Sequence, residues 1–188
     1  MSKRFSMIIS TALIAAAFCL PGIASADFRL ESSDVASGGS LSSHQVYAGF
    51  GCTGDNESPQ LRWSGEPEGT KSFAITVYDP DAPTGSGWWH WLIYNIPANV
   101  HELPRNAGDA KAGIAPQGST QGKSDFGSLG YGGACPPKGS KPHHYQFKVF
   151  ALNTEKLALP KDASGALIGY NLNAHALGTA QLEALYQR

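Results

Sequence analysis

Charge, cysteine and long apolar stretches are all scarce in this 188-residue chain, and each scarcity removes a class of protein. Charged residues make up only 15%, with 14 Lys and Arg against 15 Asp and Glu. There is no basic surplus to draw in nucleic acid or an anionic membrane surface. The three cysteines form no Cys-x-x-Cys, and no His-x-x-x-His occurs, so the common spacings of zinc sites are missing. No serine sits in a Gly-x-Ser-x-Gly elbow. Past the N-terminus no run approaches the roughly 20 apolar residues that a bilayer-spanning helix needs. No internal repeat and no inter-domain linker is visible.

Glycine (22) and proline (12) are plentiful, which indicates a turn-rich β protein rather than a helical bundle. The first residues read as a targeting segment. Lys3 and Arg4 precede a mostly apolar run from Met7 to Leu20, Pro21-Gly22 breaks it, and Ala24-Ser25-Ala26 offers a small-x-small cleavage site. Residues 1–26 are therefore expected to be a signal peptide and 27–188 one domain. Removing 26 of 188 residues leaves 162, and losing two cations moves the net charge from −1 to −3. The rival reading is a retained anchor, for which the run is short. A lipoprotein signal is disfavoured by the bulky Phe18 before Cys19. Export implies a periplasmic or secreted protein. Cys19 would leave with the signal, and the even pair Cys52 and Cys135 would form a disulfide in an oxidising compartment. Two separate buried thiols are the alternative.

Strand signals are short and separated by Gly, Pro and Ser. They cover Gln60–Trp63, Ser72–Asp79, Trp89–Ile96, Tyr145–Leu152 and Thr179–Tyr186. Ser72–Asp79 alternates, with Phe73, Ile75 and Val77 on one face and Ala74, Thr76 and Tyr78 on the other, as a central strand would. Residues 98–143 read as long loops, with one short strand near Ala115-Pro116. Such loops are usually functional. Asp162 or Ser164 caps an expected helix reaching Leu177, with Gly178 as its C-terminal cap.

Three polar segments adjoin strand ends: Asp79-Pro80-Asp81-Ala82-Pro83; Trp88-Trp89-His90-Trp91; and Gly132-Gly133-Ala134-Cys135-Pro136-Pro137-Lys138-Gly139 followed by His143-His144-Tyr145. Alternation puts His143 with Tyr145, and His90 with Leu92 and Tyr94 away from Trp89 and Trp91. An Asp beside a His favours imidazolium and raises its pKa, which suits an anion. The Gly-rich loop would add a nest of backbone N–H groups, stiffened by Pro136 and Pro137. The tryptophans would wall the site. His44, His101 and His175 lack a partner motif. Taken singly, each signal fits a plain turn, loop or packing residue as well.

Taken together and in order, Asp79-Pro-Asp-Ala-Pro83, Trp88-x-His90-Trp91, Gly133-x-x-Pro136-Pro137-x-Gly139 and His143-x-Tyr145 resemble the phosphatidylethanolamine-binding proteins, above all the bacterial Raf-kinase-inhibitor-like branch. The resemblance runs from about Phe28 to the end. It implies a mainly β fold, a large antiparallel sheet packed on a smaller one with a few peripheral helices. It also implies a surface pocket for phosphate-type anions, carried here by Asp79, Asp81, Pro83, His90, His143 and Tyr145. Backbone N–H groups of Gly133, Ala134 and Cys135 would complete the pocket, and Ala82–Pro83 would be cis. The sequence departs from the eukaryotic pattern at Cys135, where Gly is usual, and at His144, where Arg is frequent. It also ends soon after Tyr186, without the eukaryotic extension, so kinase regulation is not implied.

The function that these residues suggest is a non-catalytic, exported binder of a small anion or phospholipid headgroup, with a regulatory role and no cofactor or metal. An inhibitor of a protease or another protein partner that works without the pocket is the alternative. A metal-dependent hydrolase using Asp79, Asp81, His90 and His143 is the weakest. Bacterial relatives leave a homodimer open.

Overall fold

The computed structural model describes residues 27–188. The signal-peptide reading, residues 1–26, lies outside the described residues. In chain order the strands are β1 (Arg29–Glu31), β2 (Ala48–Gly49), β3 (Cys52–Thr53), β4 (Leu61–Ser64), β5 (Ser72–Asp79), β6 (Trp88–Pro97), β7 (Glu102–Leu103), β8 (Thr120–Gln121), β9 (His143–Leu152) and β10 (Ala176–Tyr186). Helix α1 (Gly165–His175) precedes β10, and a single 3-10 turn covers Ser43–Gln45.

Three sheets result. The largest is antiparallel, in the order β10-β9-β5-β6-β8, with β5 at its centre. A three-stranded sheet β1-β4-β7 packs against one face, and β2-β3 forms a small ribbon. Burial on both faces explains the composition of β5. Phe73, Ile75 and Val77 enter the core between the sheets with Trp63, Trp91 and Phe147. Ala74, on the other face, joins Leu92, Tyr94, Phe150 and the helix residues Ile168 and Leu172. Each large aliphatic or aromatic side chain buried this way contributes about 1.5–3 kcal/mol.

The mainly β reading holds, and so do the ranges of the long strands to within two residues, except that the last begins at Ala176, three residues before Thr179. The short strand expected near Ala115-Pro116 is instead at Thr120–Gln121, where it pairs with Tyr94 and Ile93. The helix stops at His175 rather than running to Leu177. Ser164 caps its start, its hydroxyl accepting from the Leu167 N–H. At the other end Ala176 pairs with Leu152 and the edge of β9 captures the chain. Gly178 is therefore not a helix cap. It sits in β10 at a register shift, where a Cβ would come within 2.8 Å of Pro67.

Cys52 and Cys135 form the disulfide, with Cα atoms 5.9 Å apart. It joins β3 to the Gly-Pro loop across a sequence separation of 83. Arg188 ties the same two loops. Its guanidinium donates to the carbonyls of Pro136 (2.6 Å) and Gly51 (2.7 Å), and its own carbonyl accepts from Gly139 N–H.

Candidate functional site

The C-terminal end of β5 and the N-terminal ends of β6 and β9 lie side by side in the large sheet, because β5 runs antiparallel to both neighbours. That topology alone brings Asp79, His90, His143 and Tyr145 to one edge. All four are buried, between 1% and 5% exposed, and all line a cavity of about 170 Å³. Among the described residues four surface hollows are larger; three of them carry no histidine, and the fourth, of about 400 Å³, adjoins this cavity and shares His143 and Pro83 with it.

His143 and Tyr145 share a face while His144 points to solvent, as alternation requires. His143 Nδ1 donates to Asp79 Oδ2 at 2.7 Å. The other oxygen, Asp79 Oδ1, accepts the Asp81 backbone N–H at 2.8 Å. Asp79 is thus hidden behind the imidazole that it orients.

His90 reaches the cavity by a different device. Tyr78 pairs with Trp89, but Val77 pairs with Trp91, so β6 carries one extra residue there. This bulge breaks the alternation that would have grouped His90 with Leu92 and Tyr94. Trp89 packs on Tyr78 at 4.5 Å and sides with the helix-side core. His90 turns the other way, edge-on to Tyr145 at 5.1 Å. Its Nδ1 lies 2.7 Å from the Gly132 carbonyl. A carbonyl only accepts, so Nδ1 carries the proton.

Burial pushes the His90 pKa below its ordinary value, outweighing the Gly132 carbonyl and the Asp79 carboxylate, which act in the other direction. This reverses the raised histidine pKa expected from a neighbouring Asp. The sequence shows the Asp but not the depth of burial. The Tyr145 hydroxyl is pushed up, first by burial and then by Asp79. Its oxygen and the Trp88 indole N–H, both on residues that line the cavity, are buried with no hydrogen-bond partner among the described residues.

Asp81 departs from the expected site. Its carboxylate accepts from the His144 backbone N–H (2.8 Å) and side chain (2.7 Å), outside the cavity. Burial alone would raise its pKa, but these bonds hold it low, and the Asp81 hydrogen bond raises His144 in turn. The expected nest of N–H groups is also different. The Gly133 N–H is taken by Asn56 Oδ1 and the Ala134 N–H by the Gln45 carbonyl. Of that loop, Cys135, Pro136 and Pro137 line the cavity while Gly133 and Ala134 do not. The glycines serve close packing. A Cβ on Gly132 would sit 2.2 Å from the Phe126 ring, and one on Gly133 would sit 2.5 Å from the backbone of Gln45 and Tyr47. Pro83 lines the wall as expected, but through a trans bond, because no described peptide bond is cis.

Sequence reasoning missed two walls, Phe50 and Phe126. Phe126 stacks on Tyr47 at 4.1 Å and meets His90 edge-on at 5.4 Å. Phe50 is 70% exposed at the rim, with a positive φ of 52°. A lone aromatic in a Gly- and Ser-rich loop is the signal that was available for Phe126.

Comparison with known proteins gives a consistent picture. The family model described as phosphatidylethanolamine-binding protein matches residues 31–187. The UPF0098 protein YbcL of Escherichia coli (strain K12) is 54% identical over 97% of this chain and 98% of its own length. YbhB of the same organism is 46% identical over 84% of this chain and 99% of its own. The crystal structure of E. coli YbcL superposes with a TM-score of 0.85, covering 87% of this chain and 99% of that one at 57% identity. A homologue from Chlamydia trachomatis, CT736, gives a TM-score of 0.70 at 27% identity, with 86% of this chain and 97% of that one covered.

Proposed function

Because the chain belongs to the phosphatidylethanolamine-binding protein family, we propose that its cavity binds a small oxyanion, a phosphate-type group, and that it does so without catalysis. The observation that carries this reading is the convergence of two buried imidazoles whose Nδ1 atoms are already committed, to Asp79 and to the Gly132 carbonyl. Each is left with Nε2 as its remaining polar atom. Tyr145 O–H and Trp88 N–H add buried donors that lack acceptors, a costly state that ligand oxygens would relieve.

In this reading His90 and His143 hold the anion, Asp79 orients His143, and Cys135 and Pro83 shape the wall. Support for binding rather than reaction comes from Thr84, a hydroxyl at the wall. It donates to the Gly87 carbonyl rather than to an imidazole, so no nucleophile–base pair is formed there.

Titration calorimetry at pH 5.5 with inorganic phosphate and with glycerophosphoethanolamine tests the proposal and separates free phosphate from headgroup. Saturable binding that weakens about tenfold or more in His90→Ala and in Tyr145→Phe is expected, the scale of one lost charge-assisted hydrogen bond. Absence of saturable binding, or full affinity in both variants, would overturn it.

An exported, periplasmic location is part of the same proposal. The disulfide fits an oxidising compartment, and a relative from Mycobacterium tuberculosis, 33% identical over 73% of this chain, is named a putative lipoprotein. Intact mass of the protein recovered from the periplasm should correspond to a chain beginning at Asp27. A mass retaining Met1 would argue against cleavage.

A further inference from the structure

The charges around the cavity do not suit every oxyanion equally. None of the residues that line it is Lys or Arg. The Arg188 guanidinium is spent on the carbonyls of Pro136 and Gly51. Lys141 and the exposed His144 line a neighbouring hollow instead. Positive charge inside the cavity therefore has to come from two imidazoles, and one negative charge, Asp79, is already buried beside them.

The groups that face His90 can be named from every side. Asp79 lies on β5, and His143 and Tyr145 lie on β9. Asp125, whose carboxylate accepts from the Trp89 N–H, and Phe126 come from the loop after β8. Nδ1 of His90 is held by Gly132, so Nε2 alone can gain a proton, and burial disfavours that proton.

Counting charge then discriminates between ligands. The two imidazoles can bring at most two positive charges, which Asp79 and a singly charged ligand together balance. A doubly charged ligand leaves one negative charge buried without a partner, and such charges are strongly disfavoured. Resting on the oxyanion reading above, we infer that the cavity selects singly charged oxyanions, such as phosphodiesters and carboxylates, over doubly charged phosphomonoesters, and that His90 takes up a proton as the ligand enters. The walls agree. Trp88, Phe126 and Phe50 offer apolar surface to ester substituents and no donor cluster for a second anionic oxygen beyond Tyr145 and Trp88.

Methyl phosphate and dimethyl phosphate form a minimal pair. The first loses its second proton near pH 6, and the second is singly charged throughout. Calorimetric or NMR titration of the mature chain at pH 8 should show dimethyl phosphate binding at least about tenfold more tightly. At pH 5 the two should agree within about threefold. Near pH 7, heats measured in buffers of different ionisation enthalpy should report net proton uptake as dimethyl phosphate binds. Methyl phosphate binding as tightly as dimethyl phosphate at pH 8, or heats independent of buffer, overturns the inference while leaving the oxyanion site in place. Failure of both phosphates to bind at either pH overturns the site itself.

Discussion

Two aspartate–histidine pairs stand almost side by side, Asp79 with His143 and Asp81 with His144, each with a nitrogen–oxygen distance of 2.7 Å. The first is shut away, its side chains 6% and 4% exposed, while the second is open at 49% and 41%. The same chemistry one strand position apart therefore serves different ends. The open pair is screened by water and contributes little. The closed pair belongs to a cavity in which every proton and charge matters, because water cannot compensate for a wrong one.

What keeps the closed pair closed is the loop wall held by Cys52–Cys135. Replacing both cysteines by serine should cost about 4 kcal/mol in the chain-entropy account of so long a loop, read as a lower urea midpoint. It should also let the His90 pKa climb toward its ordinary value, making the buried site more like the exposed one. Unchanged stability and an unchanged His90 titration would show that the loop stays shut without the bond.

Asp79→Ala removes the acceptor of His143 Nδ1 inside the protein and should destabilise by about 3 kcal/mol. The matching change on the open pair, Asp81→Ala, should leave the urea midpoint almost where it was. If the two variants lose comparable stability, burial is not what separates the pairs.

A smaller effect concerns pH. The folded His90 has a lowered pKa, so below about pH 6.5 the unfolded chain binds the proton more readily. Its contribution to stability is present above about pH 6.5 and is lost progressively as pH falls from there through the folded value. His144 behaves oppositely. Its raised pKa gives a contribution that is present in acid and fades as pH rises through the folded value. Two-dimensional NMR of the imidazoles should place the two midpoints on opposite sides of 6.5, and Asp81→Ala should bring only that of His144 back.

The long strands were legible because each carries its own pattern. β5 alternates between two apolar faces, and the His143–Tyr145 face follows from period two. β1, β2 and β3 were not legible, since two or three residues hold no period and their pairing partners lie far away in sequence. At the site, the motifs taken in order, and the family resemblance that they carry, pointed to Asp79, His90, His143 and Tyr145, and these do line one cavity. The side on which His90 emerges did not follow, because alternation assumes an unbroken register and β6 has a bulge there. Gly133 and Ala134 were misassigned for a related reason. A glycine placed for backbone approach and one placed to cradle an anion look identical in sequence, and only the partners Asn56 and Gln45 tell them apart.

The extra residue in β6 also ties the pocket's chemistry to a single codon. Deleting Trp89 would restore an ordinary ladder against β5 at this point, and the imidazole would then face α1 instead of the cavity. The same deletion would take away the indole that packs on Tyr78 and against Gly165 of α1. A lineage could in this way lose the pocket's chemistry in one genetic event, at a cost to the helix-side core.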